Sequence, residues 1–129
     1  MSRASILLSC LCLAVRVADA HHSFAAEFDY DATGSITGEV IEVLFVNPHA
    51  RYFLAVTDAD GKEVIWDAQT RSTSALTRVG WTKDTIQLGE TLTLEGNLGR
   101  DNTRKLWIRE VIKADGSVIH PVTEEPAND

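Results

Sequence analysis

The chain contains five strand-length segments and one short helical segment, and their order constrains the fold more than any other feature. The five segments are rich in β-branched and apolar residues or alternate between apolar and polar positions, as β-strands do. Turn residues separate them, including Asp58 to Gly61 between the second and the third. The predicted strands are Ile36–Val46, Arg51–Thr57, Glu63–Ala68, Thr91–Gly96 and Lys105–Lys113, with a short extended piece at Val118–His120.

The helical segment lies between the third and the fourth strand. Ser72 or Thr73 can cap its N-terminus. Leu76 and Val79 are spaced for one buried stripe, and Gly80 suits the left-handed position that ends a helix. This order is that of the OB-fold, so we predict an all-β fold with one short helix, a small five-stranded OB-like Greek-key barrel. The alternative is a small β-sandwich with an incidental helix.

Two local features are expected within this pattern. The alternation of the long first strand slips, which predicts a bend or bulge near Gly38. The segment from Asn97 to Arg104 is polar and is predicted to be a loop between the last two strands.

Residues 1–20 have the pattern of an export signal. Arg3 supplies a positive charge, residues 6–15 are apolar but too few to span a bilayer, and Ala18-Asp19-Ala20 fits the signal peptidase site. A lipoprotein signal with Cys10 as the attachment site is the competing interpretation. Both cysteines, Cys10 and Cys12, lie in this segment, so a mature chain contains neither a disulfide nor a thiolate ligand.

We therefore expect a periplasmic or secreted protein that is cut after Ala20 and has no membrane span in its mature form. Residues 21–120 are predicted to form a single OB-like domain with an N-terminal arm. Residues 121–129 are predicted to be a disordered acidic tail.

The charge of the chain excludes one class of partner. The formal net charge is −7, with 12 basic and 19 acidic residues and no basic stripe. Binding to nucleic acid or to an anionic membrane surface is therefore not expected. A partner protein or a small ligand is left unidentified by the sequence.

The histidines indicate a metal site. Cleavage after Ala20 would give His21 a free α-amino group, which can chelate a metal ion together with its own imidazole, and His22 offers a second imidazole. Nitrogen donors in tetragonal geometry favour Cu(II), which also heads the affinity order of the divalent metals. His49, in the turn after the first strand, and His120 are the further ligand candidates. We predict a periplasmic, non-enzymatic metal-binding protein with copper as the expected metal; a solvated terminus without a site is the alternative.

A second function is left open by the tryptophans. OB barrels bind ligands on an open face that carries aromatic residues. Trp66 and Trp107 are the candidates for such a face, which would make the protein an interaction module for a partner protein or a small ligand. An enzyme is disfavoured, and no catalytic residue is assigned, because no acid–base pair or cofactor motif accompanies the histidines.

Aromatic and acidic residues follow the first two histidines. Phe24, Phe28 and Tyr30 are expected to anchor the N-terminal arm on the barrel, with an aromatic wall around a ligand as the alternative. Glu27 and Asp29 are candidates for oxygen ligands or for partners of a ligating histidine.

A set of short motifs recurs in order along the mature sequence: HHSFAAEFD at 21–29, Gly38, NPH at 47–49, Trp66, Leu76, Gly80-Trp81, Leu88-Gly89-Glu90 and Asp115-Gly116. With this pattern the sequence resembles a family of small exported bacterial proteins of unknown function. The resemblance covers nearly all of His21 to Ile119 and implies a secreted or periplasmic single domain without supplying an activity. One position departs from the family pattern, because Asn102 stands where a glycine is usual.

Overall fold

The computed structural model describes residues 24–122. Six strands in this range form one sheet, and a short helix lies between the third and the fourth strand. Residues 24–27 are also helical, which the sequence did not predict. The elements are β1 (Phe28–Leu44), β2 (Arg51–Thr57), β3 (Glu63–Gln69), α1 (Thr73–Arg78), β4 (Thr91–Gly99), a 3-10 turn (Arg100–Asn102), β5 (Lys105–Lys113) and β6 (Val118–Ile119).

The five long strands pair in a closed ring. β1 is antiparallel to both β2 and β4, β2 is antiparallel to β3, and β4 is antiparallel to β5. A parallel pairing of residues 67–69 with residues 105–107 joins β3 to β5 and closes the ring, while β6 pairs with the end of β5. A β-sandwich would have two separate sheets. The predicted all-β fold with a short helix between the third and fourth strands is confirmed.

The first strand is longer than the sequence predicted. β1 begins at Phe28 and not at Ile36, because residues 33–39 pair with residues 91–97 of β4. The added residues include Asp29, Asp31 and Gly34, which have low strand propensity, so the pairing with β4 decides their conformation. β4 correspondingly continues to Gly99, and Asn97 belongs to this strand and not to the predicted loop.

The expected irregularity in β1 lies three residues beyond Gly38. The pairing with β2 shifts register between Val40 and Glu42, which makes Ile41 the extra residue of a bulge. Gly38 has a different role, because a Cβ atom there would lie 2.3 Å from the carbonyl oxygen of Ala55. A glycine at this position lets β1 and β2 approach closely.

The helix begins and ends as predicted. Ser72 is the N-cap, and its hydroxyl accepts a hydrogen bond of 3.2 Å from the Ala75 N–H. Leu76 is fully buried in the core, and Gly80 follows the helix with a φ of 82°.

The loop between β4 and β5 contains the position at which the family pattern has a glycine. Asn102 has a φ of 56° and Asp101 a φ of 58°, both in the left-handed region. Asparagine and aspartate enter this region more readily than other non-glycine residues. Asn102 therefore adopts a backbone conformation that glycine favours.

The core fills the ring and extends under α1. Its fully buried side chains include Leu54 of β2, Leu94 of β4 and Ile108 of β5. Tyr52 and Trp81 bring polar atoms into this interior, and the Trp81 indole N–H donates a 3.0 Å hydrogen bond to the Tyr52 hydroxyl. Burial raises the pKa of Tyr52 even though the hydrogen bond from Trp81 opposes this shift.

Replacing Tyr52 by phenylalanine should therefore destabilise the protein. The Trp81 N–H would lose its partner in the core, and a buried unsatisfied donor costs about 1–3 kcal/mol. Tyr30→Phe is the matched control, since this tyrosine is 51% exposed and should change the free energy of unfolding by less than about 0.5 kcal/mol. Urea unfolding gives the free energy of unfolding of both variants. Equal losses in the two variants would contradict a stabilising role of the hydrogen bond between Trp81 and Tyr52.

A lysine holds the segment before β4 against β5. Lys113 Nζ lies 2.7 Å from Glu90 Oε1, and it also donates to the carbonyl of Thr85. Glu90 accepts a further hydrogen bond of 2.6 Å from the Gln87 N–H. Burial raises the pKa of Glu90, but the hydrogen bonds from Lys113 and Gln87 outweigh burial, so the net shift is downward.

This shift predicts a pH-dependent contribution to stability. The folded-state pKa of Glu90 lies below its ordinary value of 4.5, so the contribution is complete above about pH 4.5 and is lost as the pH falls through the folded-state value. Glu90→Gln should cost about 1 kcal/mol at pH 7 and much less at pH 3. Glu63→Gln, at an exposed position, serves as the control in urea unfolding. A cost of Glu90→Gln that is the same at both pH values would refute this assignment.

Within residues 24–122, no helix has both the length and the apolar character that crossing a membrane requires. The predicted signal and its cleavage site lie outside the described residues, as do residues 123–129 of the predicted tail. Of the remaining two tail residues, Pro121 is buried and Val122 is exposed.

Candidate metal centre and the surface around Trp107

Trp107 lies on the outer surface of the ring. Its neighbours in β5, Leu106 and Ile108, are fully buried in the core, and successive side chains of a strand point to opposite faces. Its partner in β3 is Gln69, and its partner in β4 is Asn97. Trp107 is therefore at the point where three strands meet on the outside of the ring.

Phe24 and Phe28 pack on this tryptophan. The ring centroid of Phe24 is 5.4 Å from that of Trp107, in an edge-to-face arrangement, and Phe28 is 5.7 Å from it. Phe24 also contacts Phe28 at 5.3 Å and Tyr30 at 4.6 Å. These four residues form what we call the aromatic cluster (Phe24, Phe28, Tyr30 and Trp107). Phe24 and Phe28 thus hold the start of the described chain against β5, as expected for an anchor.

His49 contacts the same tryptophan. Its ring centroid is 5.0 Å from that of Trp107, with the two planes at 84°. The segment that carries His49 is held by Asn47, whose side-chain oxygen accepts hydrogen bonds from the Thr73 N–H at 3.0 Å and the Thr73 hydroxyl at 2.8 Å. The Asn47–Pro48 peptide bond is cis. Phe24 and His49 are consequently both in contact with one indole ring.

His49 lines a pocket of about 350 Å³ together with Lys105 and Arg51, the cations of two ion pairs. Lys105 Nζ is 2.9 Å from Glu27 Oε2, and Arg51 binds Asp67 through two hydrogen bonds of 3.1 and 2.6 Å. The hydrogen bonds that Arg51 donates to the Asp67 carboxylate raise the pKa of Arg51. Because a carboxylate neutralises each of these cations, the positive charge beside His49 is offset.

His120 lies elsewhere. It lines a separate depression of about 650 Å³ on the outside of β4 and β5. Its Nδ1 is 3.8 Å from Glu110 Oε2 and 3.4 Å from the carbonyl oxygen of Arg109. The pocket of His49 does not include His120, so the described structure does not bring these two candidate ligands together.

The two candidate tryptophans of the ligand face lie on opposite surfaces. Trp66 packs against the core, and its strand neighbour Ala68 is fully buried. Side chains alternate between the two faces of a strand, so Trp66 and Ala68 share one face of β3 and Gln69 lies on the other. Gln69 is the residue of β3 that pairs with Trp107. Trp66 therefore faces the interior side of the ring, whereas Trp107 faces outward.

His21 and His22 lie outside the described residues, so their predicted role as ligands stays a prediction. Between residues 24 and 122, no three histidine, cysteine, aspartate or glutamate side chains are grouped so that they would hold a metal ion. His49 is thus the one histidine in the described part of the chain that lines this pocket, and a nitrogen site there needs donors from the N-terminal residues.

Sequence reasoning missed Asn97 as a structural residue. Its side chain is buried, and its amide donates hydrogen bonds to the carbonyls of Asp29 at 3.2 Å and Tyr30 at 3.3 Å. Its side-chain oxygen accepts a 2.8 Å hydrogen bond from Arg109 Nε. Asn97 thereby ties the start of β1 to β5. Its position between Gly96 and Leu98 in a polar stretch resembles a loop, and only the pairing with β1 reveals its role.

The packing of Phe24 on Trp107 can be tested by substitution. Phe24→Ala should shift the indole N–H resonance of Trp107 in a ¹H–¹⁵N spectrum and lower the free energy of unfolding by about 1 kcal/mol, the value of an aromatic pair. Phe53→Ala is the control, because Phe53 lies on β2 and its ring contacts Arg51. A Trp107 resonance that is unchanged by Phe24→Ala would show that the two rings do not pack together in solution.

A protein-family model matches residues 8–107 of the chain, and the family it describes is one of unknown function. The matched range includes His21, His22, His49 and Trp107 and ends before His120. No curated protein sequence matches the chain.

Proposed function

The chain belongs to DUF6152, a family of unknown function, and we propose that this member is an exported, non-enzymatic protein that binds copper. In this proposal the mature chain begins at His21. The α-amine and imidazole of His21 chelate the metal ion, and His22 and His49 are the further ligands.

The observation that carries the proposal is the shared contact of Phe24 and His49 with Trp107. His22 is two residues from Phe24 and His21 is three, and an extended chain spans at most about 3.6 Å per residue. The Cα atoms of His22 and His21 are thus within about 7 and 11 Å of that of Phe24. A chain cut after Ala20 would have its α-amine and two imidazoles within reach of the His49 pocket.

The donor set favours copper among the divalent metals. An amine and imidazoles are nitrogen ligands that suit the tetragonal geometry of Cu(II), and copper heads the affinity order at such sites. The mature chain would contain no cysteine, so thiolate sites typical of structural zinc are excluded.

The surroundings of His49 are compatible with a cation. Glu27 lines the same pocket and stands one helical turn after Phe24, so the segment that would bring His21 to the site also brings a carboxylate. Its charge is shared with Lys105 at 2.9 Å. A cation that binds to His49 would therefore meet a balanced set of charges and not a positive surface.

The ion pairs around the pocket support the non-enzymatic part of the proposal. Lys105 and Arg51 are held in ion pairs, and the carboxylates of Glu27 and Asp67 are their partners. This arrangement keeps both signs of charge fixed, and it presents no nucleophile beside a general base.

Replacing His49 by alanine should weaken Cu(II) binding by the mature protein at least about tenfold. Changing an outer-shell partner already costs about 10–100-fold in metal affinity, and loss of a ligand should cost no less. His120→Ala is the matched control, because His120 lines a different pocket and lies beside Glu110. Competition titration with a chromophoric copper chelator gives the affinities. Equal affinities in the wild-type protein and both variants would exclude His49 as a ligand.

A further inference from the structure

β5 contains a bulge that the copper proposal does not use. In the pairing of β4 with β5, Gly96 is opposite Ile108 and Glu95 is opposite Glu110, so Arg109 is an extra residue without a partner. Such bulges redirect a side chain and are common next to binding sites. Gly96 permits this one, because a Cβ atom there would lie 1.8 Å from the carbonyl oxygen of Trp107 and 3.2 Å from the Arg109 nitrogen.

The guanidinium group of Arg109 is oriented through its Nε atom and through its contact with Phe24. Its Nε donates to the buried Asn97 oxygen at 2.8 Å, and its guanidinium carbon is 5.9 Å from the centroid of the Phe24 ring. Asn97 is itself fixed by its two hydrogen bonds to backbone carbonyls of β1. Within residues 24–122, neither terminal nitrogen of Arg109 has a hydrogen-bond or ion-pair partner. The Nη atoms are therefore held in place and available to an acceptor.

Arg109 shares a pocket of about 260 Å³ with a second arginine. Arg71, which follows β3, also lines the pocket, and the remaining lining residues are apolar, with the fully buried Ile108 at its base: Trp107, Ile108, Pro121 and Val122. Among residues 24–122, no acidic residue lines this pocket, although the chain as a whole has a net charge of −7. The pocket thus combines two positive charges with an indole and aliphatic walls.

We propose that this pocket binds a small organic carboxylate with an apolar body. A guanidinium presents paired N–H donors whose geometry matches the two oxygens of a carboxylate. The apolar part of the ligand would pack on Trp107 and Val122, from which it displaces water. The ligand is small, because pockets for drug-sized molecules measure about 300–1,000 Å³.

The charge pattern selects this ligand class over the alternatives. An uncharged apolar molecule would cover two guanidinium groups without offering them an acceptor, and removing a charge from water without a partner is costly. A simple inorganic anion would use the arginines but not the indole wall. A molecule that carries both a carboxylate and a ring matches both halves of the pocket.

Benzoate is a suitable probe, with benzyl alcohol and acetate as partial mimics that each lack one half of its chemistry. In a ¹H–¹⁵N titration of the protein, benzoate should produce a saturable shift of the Trp107 indole N–H and of the Arg109 backbone amide. Benzyl alcohol should bind at least about tenfold more weakly because it lacks the charge-assisted hydrogen bonds, which are worth about a factor of ten or more. Acetate should also bind at least about tenfold more weakly because it lacks the ring, whose burial is worth about a factor of ten or more.

Arg71→Gln provides the matched variant, because Arg71 is exposed and its replacement leaves the core intact. The substitution should weaken benzoate binding about tenfold, whereas Arg78→Gln, at an exposed position of α1, should leave it unchanged. The spectrum of each variant without ligand confirms that it is folded. Absence of saturation by benzoate, equal binding of benzyl alcohol, or equal effects of the two arginine substitutions would each overturn the proposal.

Discussion

The parallel pairing of β3 with β5 is the constraint on which the rest of the structure depends. It joins the first three strands to the last two and makes one ring of them. The same pairing sets Gln69 beside Trp107 and so brings the chain around His49 next to the outer face of β5. Trp107 is therefore shared by two neighbouring sites on this surface. It contacts Phe24 and His49, and it also forms a wall of the pocket that contains Arg71 and Arg109.

Local chemistry was sufficient to predict most of the fold. The bounds of β2 and β5 agree with the sequence prediction, because both segments are rich in apolar and β-branched residues and turn residues flank them. The helix was also predictable from its cap at Ser72 and from Gly80 at its end. The order of strands and helix then allowed few topologies, since a closed ring of five strands buries the apolar faces of the strands in its interior.

Features that depend on partners distant in sequence were not predictable. The first part of β1 contains Asp29, Asp31 and Gly34, which disfavour strands, and it becomes a strand through its pairing with β4. Asn97 was assigned to a loop because this pairing is not visible in the local sequence. Trp66 and Trp107 belong to different strands, and their relation depends on the register of β3 with β5, which no local pattern contains. The sequence indicated that Phe24 is an anchor, but it contained no signal that its partner is Trp107 or that His49 shares this contact.

The central claim is that the fold, and not the terminal residues alone, builds the copper site. The most direct test compares the Cu(II) electron paramagnetic resonance spectrum of the exported protein, whose start at His21 is first verified by intact mass, with that of a synthetic peptide of residues 21–28. The account predicts a single tetragonal, nitrogen-rich signal in the protein that differs from the signal of the peptide, because His49 is an added ligand. A protein spectrum that superimposes on that of the peptide, or a mature chain that starts at another residue, would contradict it.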